Sequence, residues 1–146
     1  MKRTFLFLTL VLFSATLLAE NYGDYVITGQ GTFFFKKVKF GINCCLVGIK
    51  ENGEKVKFKK AEILSFEKGG QQFEKRPVYK GNEPTGEQEF MALVCYRKGM
   101  KLYEYEYISK VSQAPSRRYY VFKGDKFICE MDNANKPTLS AFFTGK

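Results

Sequence analysis

The sequence contains no histidine and no tryptophan. A Ser-His-Asp triad, a Cys-His dyad and a His-ligated zinc site are therefore excluded, because each of them needs an imidazole. The cysteines form no CxxC pair, since they lie at positions 44, 45, 95 and 129. With no motif for nucleophilic, redox or metal chemistry, the sequence predicts a protein that is not an enzyme and that uses no cofactor and no metal.

The first 19 residues have the features of a secretory signal peptide. A basic start precedes an apolar run from Phe5 to Leu18, and Ala19 supplies the small residue of a cleavage site. The run is shorter than the roughly 20 residues of a membrane-spanning helix, although an uncleaved anchor is the alternative. We expect residues 1–19 to be removed and residues 20–146 to form a single β-rich domain. Its predicted location is the periplasm, the cell surface or the medium, and it does not span a membrane.

Export places the cysteines in an oxidising compartment, where disulfides persist. Four cysteines allow three full pairings, and spacing alone does not choose among them. A vicinal Cys44–Cys45 bond would close a small strained ring, so the favoured pairings join Cys95 to Cys129 or to one member of the vicinal pair. The alternative that the cysteines are small buried hydrophobic residues stays open.

Strands with a period of two, separated by glycine-rich turns, dominate the sequence after residue 20. Thr32 to Phe40 is predicted as one strand, Asn52-Gly53 as a hairpin turn, and residues 75–88 as a loop. Only residues 135–146 are compatible with a short helix. The sequence therefore predicts an all-β fold, a single antiparallel meander closed as a small barrel or sandwich, with at most one short C-terminal helix.

Lysines form the first candidate binding surface. Lys55, Lys57 and Lys59 point to one side of a predicted strand, while Val56 and Phe58 point to the other. Further lysines are close in sequence, at positions 36, 37, 39 and 60. A cationic face of this kind binds anionic partners, whereas the alternative is a solvated face whose lysines prevent edge-to-edge pairing of strands. No RNA-binding signature accompanies the lysines, so nucleic acid is not a predicted partner.

Tyrosines form the second candidate surface. Tyr103, Tyr105 and Tyr107 share one face of a predicted strand, and the opposite face carries Glu104 and Glu106. The charged opposite face favours inward tyrosines that belong to the core, while a stacking surface or a ligand cavity is the alternative. The two glutamates lie roughly 7 Å apart by strand rise, which is compatible with a glycosidase pair but is more typical of a solvent face.

The order of several short segments resembles a small exported β-rich module that recurs in Bacteroidota-type bacteria, alone or ahead of outer-membrane barrels. The segments are Tyr25–Thr28, Gly29–Thr32, Lys55–Phe58, Ala61–Phe66, Gln72–Tyr79, Phe90–Val94, Gly99–Tyr105 and Tyr119–Val121. The resemblance spans nearly the whole chain after the leader and implies a periplasmic or surface location. It implies no catalytic residues, and the Cys44-Cys45 pair departs from its pattern.

Two functional hypotheses follow from these observations. The first is a non-enzymatic exported envelope protein that binds a protein or cell-surface partner, such as another envelope protein or an anionic surface component. The alternative is a small-ligand carrier with an aromatic-lined barrel cavity, which requires roughly 300 Å³ or more of space between tyrosine and phenylalanine side chains. The sequence assigns neither the identity of the partner nor an oligomeric state.

Overall fold

The structure is a computed structural model of the 146-residue chain, and it describes residues 23–42 and 45–146. The predicted signal peptide and Cys44 lie outside the described residues. The chain divides into two compact units, the first ending at Gly70 and the second beginning at Gln71. The described elements are β1 (Asp24–Thr28), β2 (Gly31–Phe35), β3 (Lys37–Phe40), β4 (Leu46–Ile49), β5 (Lys55–Phe58), a 3₁₀ turn (Lys60–Glu62), β6 (Ile63–Lys68), β7 (Gln71–Lys80), β8 (Glu83–Arg97), β9 (Met100–Ile108), β10 (Pro115–Lys123), β11 (Lys126–Glu130) and α1 (Lys136–Thr144).

In the first unit, two groups of strands share one core. β1 lies between β6 and β2, and β4 lies between β3 and β5; every pairing is antiparallel. Val26 of β1 and Val38 of β3 are fully buried, and the ring of Phe35 is 1% exposed. The buried carboxylate of Asp24 joins the segments, since it accepts hydrogen bonds from the backbone N–H of Val38 (2.6 Å) and of Gly69 (2.8 Å).

In the second unit, β7 to β11 pair in chain order, each antiparallel to the next. One face of these strands carries an aromatic core, in which Tyr103, Tyr120 and Phe122 are fully buried. On the other face, Leu102 and Val121 pack with Phe143 of α1. Alternation along β9 and β10 thus gives each face its own apolar cluster. In the part of the chain that the structure describes, no helix is long and apolar enough to cross a membrane.

The prediction of an antiparallel all-β fold with one short C-terminal helix is confirmed. Of the two closed forms predicted, a barrel or a sandwich, the barrel is wrong. β11 pairs with β10 alone, and no ladder joins it to β7 in the described chain, so these strands do not close into a ring. The strands are not a single meander either. β6 pairs with β1 instead of β5, and β3, β4 and β5 form a separate small sheet.

Two boundaries also differ from the sequence-based prediction. The expected strand from Thr32 to Phe40 is broken at Lys36, where the chain leaves β2 and enters β3. The expected loop over 75–88 is instead a β-hairpin. Pro77 lies within β7, next to a shift in register against β8, and a bulge of this kind is where a strand accommodates proline.

Candidate functional site

The small sheet of the first unit presents two rows of lysines on one face. β3 and β5 have the same sequence, Lys-Val-Lys-Phe, and both pair antiparallel with β4. In the register, Ile49 lies between Lys37 and Lys55, and Val47 lies between Lys39 and Lys57. Directly paired residues share a face, so these six side chains lie together. We call this surface the lysine face; its members are Lys37, Lys39, Val47, Ile49, Lys55 and Lys57.

The opposite face of the same sheet is held in the core of the unit. Val38 is fully buried, and Leu46 and Phe58 are 2% and 6% exposed. Gly48 allows the close approach, because a Cβ atom at this position would meet the ring of Phe35 at 2.5 Å. Since period-two alternation fixes one face inward, the lysines are directed outward by the packing of their neighbours.

The lysine face forms a shallow groove with an apolar floor. All four lysines are exposed, whereas Val47 and Ile49 are half-buried between them. The groove has a volume of about 570 Å³; its lining includes every member of the lysine face except Lys37, and also Ile42 and Cys45 at one end. The Cα atoms of paired lysine positions on β3 and β5 lie about 10 Å apart, because two strand spacings separate the strands.

None of these four lysines forms an ion pair with a carboxylate among residues 23–42 and 45–146. The neighbouring hairpin contains a local ion pair, Lys50 with Glu54 at 3.0 Å, which does not involve the lysines of the face. Lys59, which the sequence groups with Lys55 and Lys57, follows the last paired residue of β5 and is exposed beyond the end of the ladder. The face can therefore attract a negatively charged group.

The predicted tyrosine ladder lies in the second unit, on the inner face of β9. Tyr103 is fully buried, whereas Tyr105 and Tyr107 are half-buried with their rings stacked at 5.5 Å between centroids. The guanidinium of Arg118 lies 4.9 Å from the centre of the Tyr107 ring. The three tyrosines share a face with buried Phe122, so most of their surface faces other side chains.

A charged group next to Tyr103 was missed by the sequence analysis. Arg76, 9% exposed, donates from Nη2 to Oε2 of Glu74 (2.6 Å) and to the Tyr103 hydroxyl (2.8 Å). Its Nη1 donates to Asp125 at 2.9 Å, and Lys101 donates to Oε1 of Glu74 at 2.8 Å. We call these five residues the paired cluster. Two cations here meet two carboxylates, so the charge is balanced within the unit.

The paired cluster shifts the ionisation of its members. Burial opposes the charged form of Glu74, but hydrogen bonds from Lys101, Tyr103 and Arg76 outweigh it and hold the pKa of Glu74 below its ordinary value. Burial raises the pKa of Tyr103, and the hydrogen bond that its hydroxyl donates to Glu74 raises it further. Tyr103 therefore stays protonated and Glu74 stays ionised at neutral pH.

Glu104 and Glu106, the two glutamates considered as an acid pair, form polar contacts with residues of β10. The hydroxyl of Tyr119 donates to Oε2 of Glu104 at 2.8 Å, and Nε of Arg117 lies 3.7 Å from Glu104 and 3.4 Å from Glu106. These contacts link β9 to β10 on the face opposite the tyrosines. They are the contacts of a surface ion-pair group.

Cys95 and Cys129 are free thiols in the structure, and the register gives the reason. Cys95 pairs with Leu102, Leu102 with Val121, and Val121 with Cys129, so β9 and β10 lie between the two cysteines. Three strand spacings separate the Cα atoms by about 14 Å, beyond the roughly 7 Å that a disulfide can bridge. The predicted Cys95–Cys129 bond is therefore absent, and both thiols pack with α1.

The lysine face is marked in the sequence by a repeated tetrapeptide, which the sequence-based prediction did not use. The tetrapeptide Lys-Val-Lys-Phe occurs twice, at 37–40 and at 55–58. Two identical edge strands around one apolar strand give the two lysine rows. The paired cluster had no comparable signal, because Arg76 meets Asp125 only through the tertiary fold.

Comparisons of the chain with protein-family models, with curated proteins and with solved structures give no match.

Proposed function

We propose that this protein is a non-enzymatic exported envelope protein that binds a negatively charged partner through the lysine face. The observation that carries the proposal is the alignment of four exposed lysines in two rows, none of them ion-paired with a described residue. Unlike Arg76, these cations pair with no carboxylate among the described residues of their own unit.

The arrangement has an energetic cost when no partner is bound. Two like charges 10 Å apart repel by about 0.4 kcal/mol in water, and salt weakens this repulsion. The cost is small for one pair but recurs among four lysines on one face. An anionic partner that lies over the four lysines adds an attraction that offsets their mutual repulsion.

The location rests on the sequence. The basic start, apolar run and small residue of 1–19 support export, and the resemblance to an exported module supports an envelope location. Fractionation of the native cells, with mass spectrometry of the mature N-terminus, tests this part. We expect a chain that begins at Glu20 in the envelope fraction; an intact chain in the cytosol would contradict it.

A ligand carrier is not proposed, because the aromatic side chains of the second unit pack on one another. The rings of Tyr103 and Phe122 lie 5.6 Å apart edge to face, and Tyr79 stacks on Phe127 at 3.7 Å. The space that a carrier would keep open between these rings is filled by the rings themselves.

The binding proposal is tested with two variants of equal net charge. The first changes Lys37, Lys39, Lys55 and Lys57 to glutamate. The control changes four exposed lysines of the second unit to glutamate, at positions 110, 123, 126 and 136. Binding of fluorescent poly-L-glutamate is measured by anisotropy at low and at physiological salt.

We expect the control to bind like the unmodified protein and the lysine-face variant to bind at least about tenfold more weakly, because only the aligned charges act together. An equal loss in both variants would mean that net charge alone determines binding, and the proposed function would then be wrong.

A further inference from the structure

The apolar floor of the lysine face indicates which shape of partner it can bind. Val47 and Ile49, both half-buried, form an apolar strip along β4 between the two lysine rows. A partner that only forms ion pairs with the lysines makes no use of this apolar strip. The strip fits a partner whose contacting surface is apolar along its middle and acidic along both sides.

The dimensions of the face match those of an α-helix. The lysine rows on β3 and β5 lie about 10 Å apart, and a helix with its side chains is about 10–12 Å wide. Along each strand, Lys37 and Lys39 are about 7 Å apart, close to the roughly 6 Å rise between helical residues four apart.

The concave shape of the lysine face argues against a lipid bilayer as the partner. Val47 and Ile49 are half-buried, and longer, exposed lysines stand on both sides of them. A flat anionic surface would meet the lysines and leave the apolar strip uncovered. A rod-shaped partner reaches the floor of the groove and both rows together.

Segments of this chain do not supply the partner. Residues 1–22 contain two basic residues and a single acid, Glu20, and α1 has no acidic residue in its first turn. Neither segment offers carboxylates on two sides of an apolar stripe. The charges of the lysine face are therefore complementary to another molecule.

From these observations we infer that the lysine face binds an amphipathic α-helix of a protein partner, with acidic residues on both sides of the helix's apolar stripe. The axis of the helix lies along β4. Its apolar residues contact Val47 and Ile49, and its carboxylates reach the two lysine rows. The inference rests on the proposed function and specifies the kind of partner.

Two synthetic peptides test the inference against the whole protein. One is a 14-residue helical peptide with leucine along one stripe and glutamate on both sides of it; the other has the same composition in scrambled order. We expect the helical peptide to bind at least about tenfold more tightly and to gain helical circular dichroism on binding. Equal binding of the two peptides would overturn the helix while leaving the proposed function intact.

A second pair of variants separates the apolar contact from the charge. V47T/I49T removes apolar surface from the floor of the groove, and V94T/I128T changes two exposed residues of the second unit as a control. We expect V47T/I49T to weaken the helical peptide by about fivefold and to leave poly-L-glutamate binding unchanged, because threonine keeps the branched shape of the strand residue. An unchanged affinity for the helical peptide would overturn the inference.

Two further outcomes are informative. If neither the peptides nor poly-L-glutamate bind, the inference and the proposed function both fail. If phosphatidylglycerol vesicles bind more tightly than the helical peptide, the partner is a membrane surface, and the helix is overturned while an anionic partner is retained.

Discussion

The two units use positive charge in different ways. In the second unit, Arg76 and Lys101 are drawn into the paired cluster, where carboxylates and a tyrosine hydroxyl accept their hydrogen bonds. In the first unit, Lys37 and Lys55 lie on the exposed lysine face, without an ion pair to any described residue.

The difference shows how composition alone can mislead. A chain with 24 basic and 15 acidic residues is basic as a whole, but only some of its cations are accessible for a partner. Pairing on the inner face of the second unit removes Arg76 from that set. The lysine face, in contrast, keeps its charge at the surface because the other side of its sheet is buried.

The largest effect that we expect comes from Arg76→Ala. Removing the guanidinium takes both N–H donors from the Tyr103 hydroxyl and one donor from Glu74, which keeps Lys101 and Tyr103. Breaking a buried pair costs about 3–5 kcal/mol, and we expect the lower end because Lys101 still pairs with Glu74. The free energy of unfolding from urea titration measures the loss. Lys39→Ala is the matched control in the first unit, with an expected change within about 0.5 kcal/mol. Similar losses in the two variants would break the comparison.

A smaller loss is expected from Gly48→Ala, which tests how the lysine face is held. The added methyl group would meet the ring of Phe35 at 2.5 Å, so the ring or β4 must move. Overpacking of this kind costs about 1–3 kcal/mol, measured by urea unfolding. A neutral substitution would mean that the small sheet is not anchored by Phe35.

The third prediction concerns acid. Hydrogen bonds from Lys101, Tyr103 and Arg76 hold the pKa of Glu74 below its ordinary value in the folded protein, so its contribution to stability is present above the unfolded pKa and is lost as the pH falls through the folded pKa. We expect the free energy of unfolding to fall less between pH 5 and pH 3 in Glu74→Gln than in the unmodified protein. Thermal unfolding across this range measures the two slopes, and parallel slopes would contradict the account of the paired cluster.

The smallest expected effect is on the stability of the lysine-face variant. Changing Lys37, Lys39, Lys55 and Lys57 to glutamate replaces exposed side chains that make no described ion pair, so the melting temperature should stay close to that of the unmodified protein. Calorimetry provides the check. A large loss would assign these lysines a structural role and remove the contrast with the second unit.

Local pattern in the sequence predicted the local features of this fold. Alternation placed Lys55 and Lys57 opposite Val56 and Phe58, and the Asn52-Gly53 turn forms as expected, with Gly53 at a φ of 83°. The register that brings Lys37 beside Ile49 and Ile49 beside Lys55 depends on strand pairing across two turns.

The missed features depend on tertiary contacts. Proline and glycine signals over 75–88 indicated a loop, although Pro77 is accommodated beside a shift in strand register. The partners of Arg76 lie on two other parts of the chain, at Tyr103 and at Gly124-Asp125, apart from Glu74 on its own strand. No spacing rule connects such positions, because they meet only after the strands of the second unit have paired.

The central claim is that the lysine face, and not the cations of the second unit, meets an anionic partner. The most direct measurement is a titration of the ¹⁵N-labelled protein with the helical acidic peptide, followed by amide chemical shifts. We predict that the shifts concentrate on β3, β4 and β5. Shifts centred on β7 to β11, or spread evenly over both units, would contradict the account.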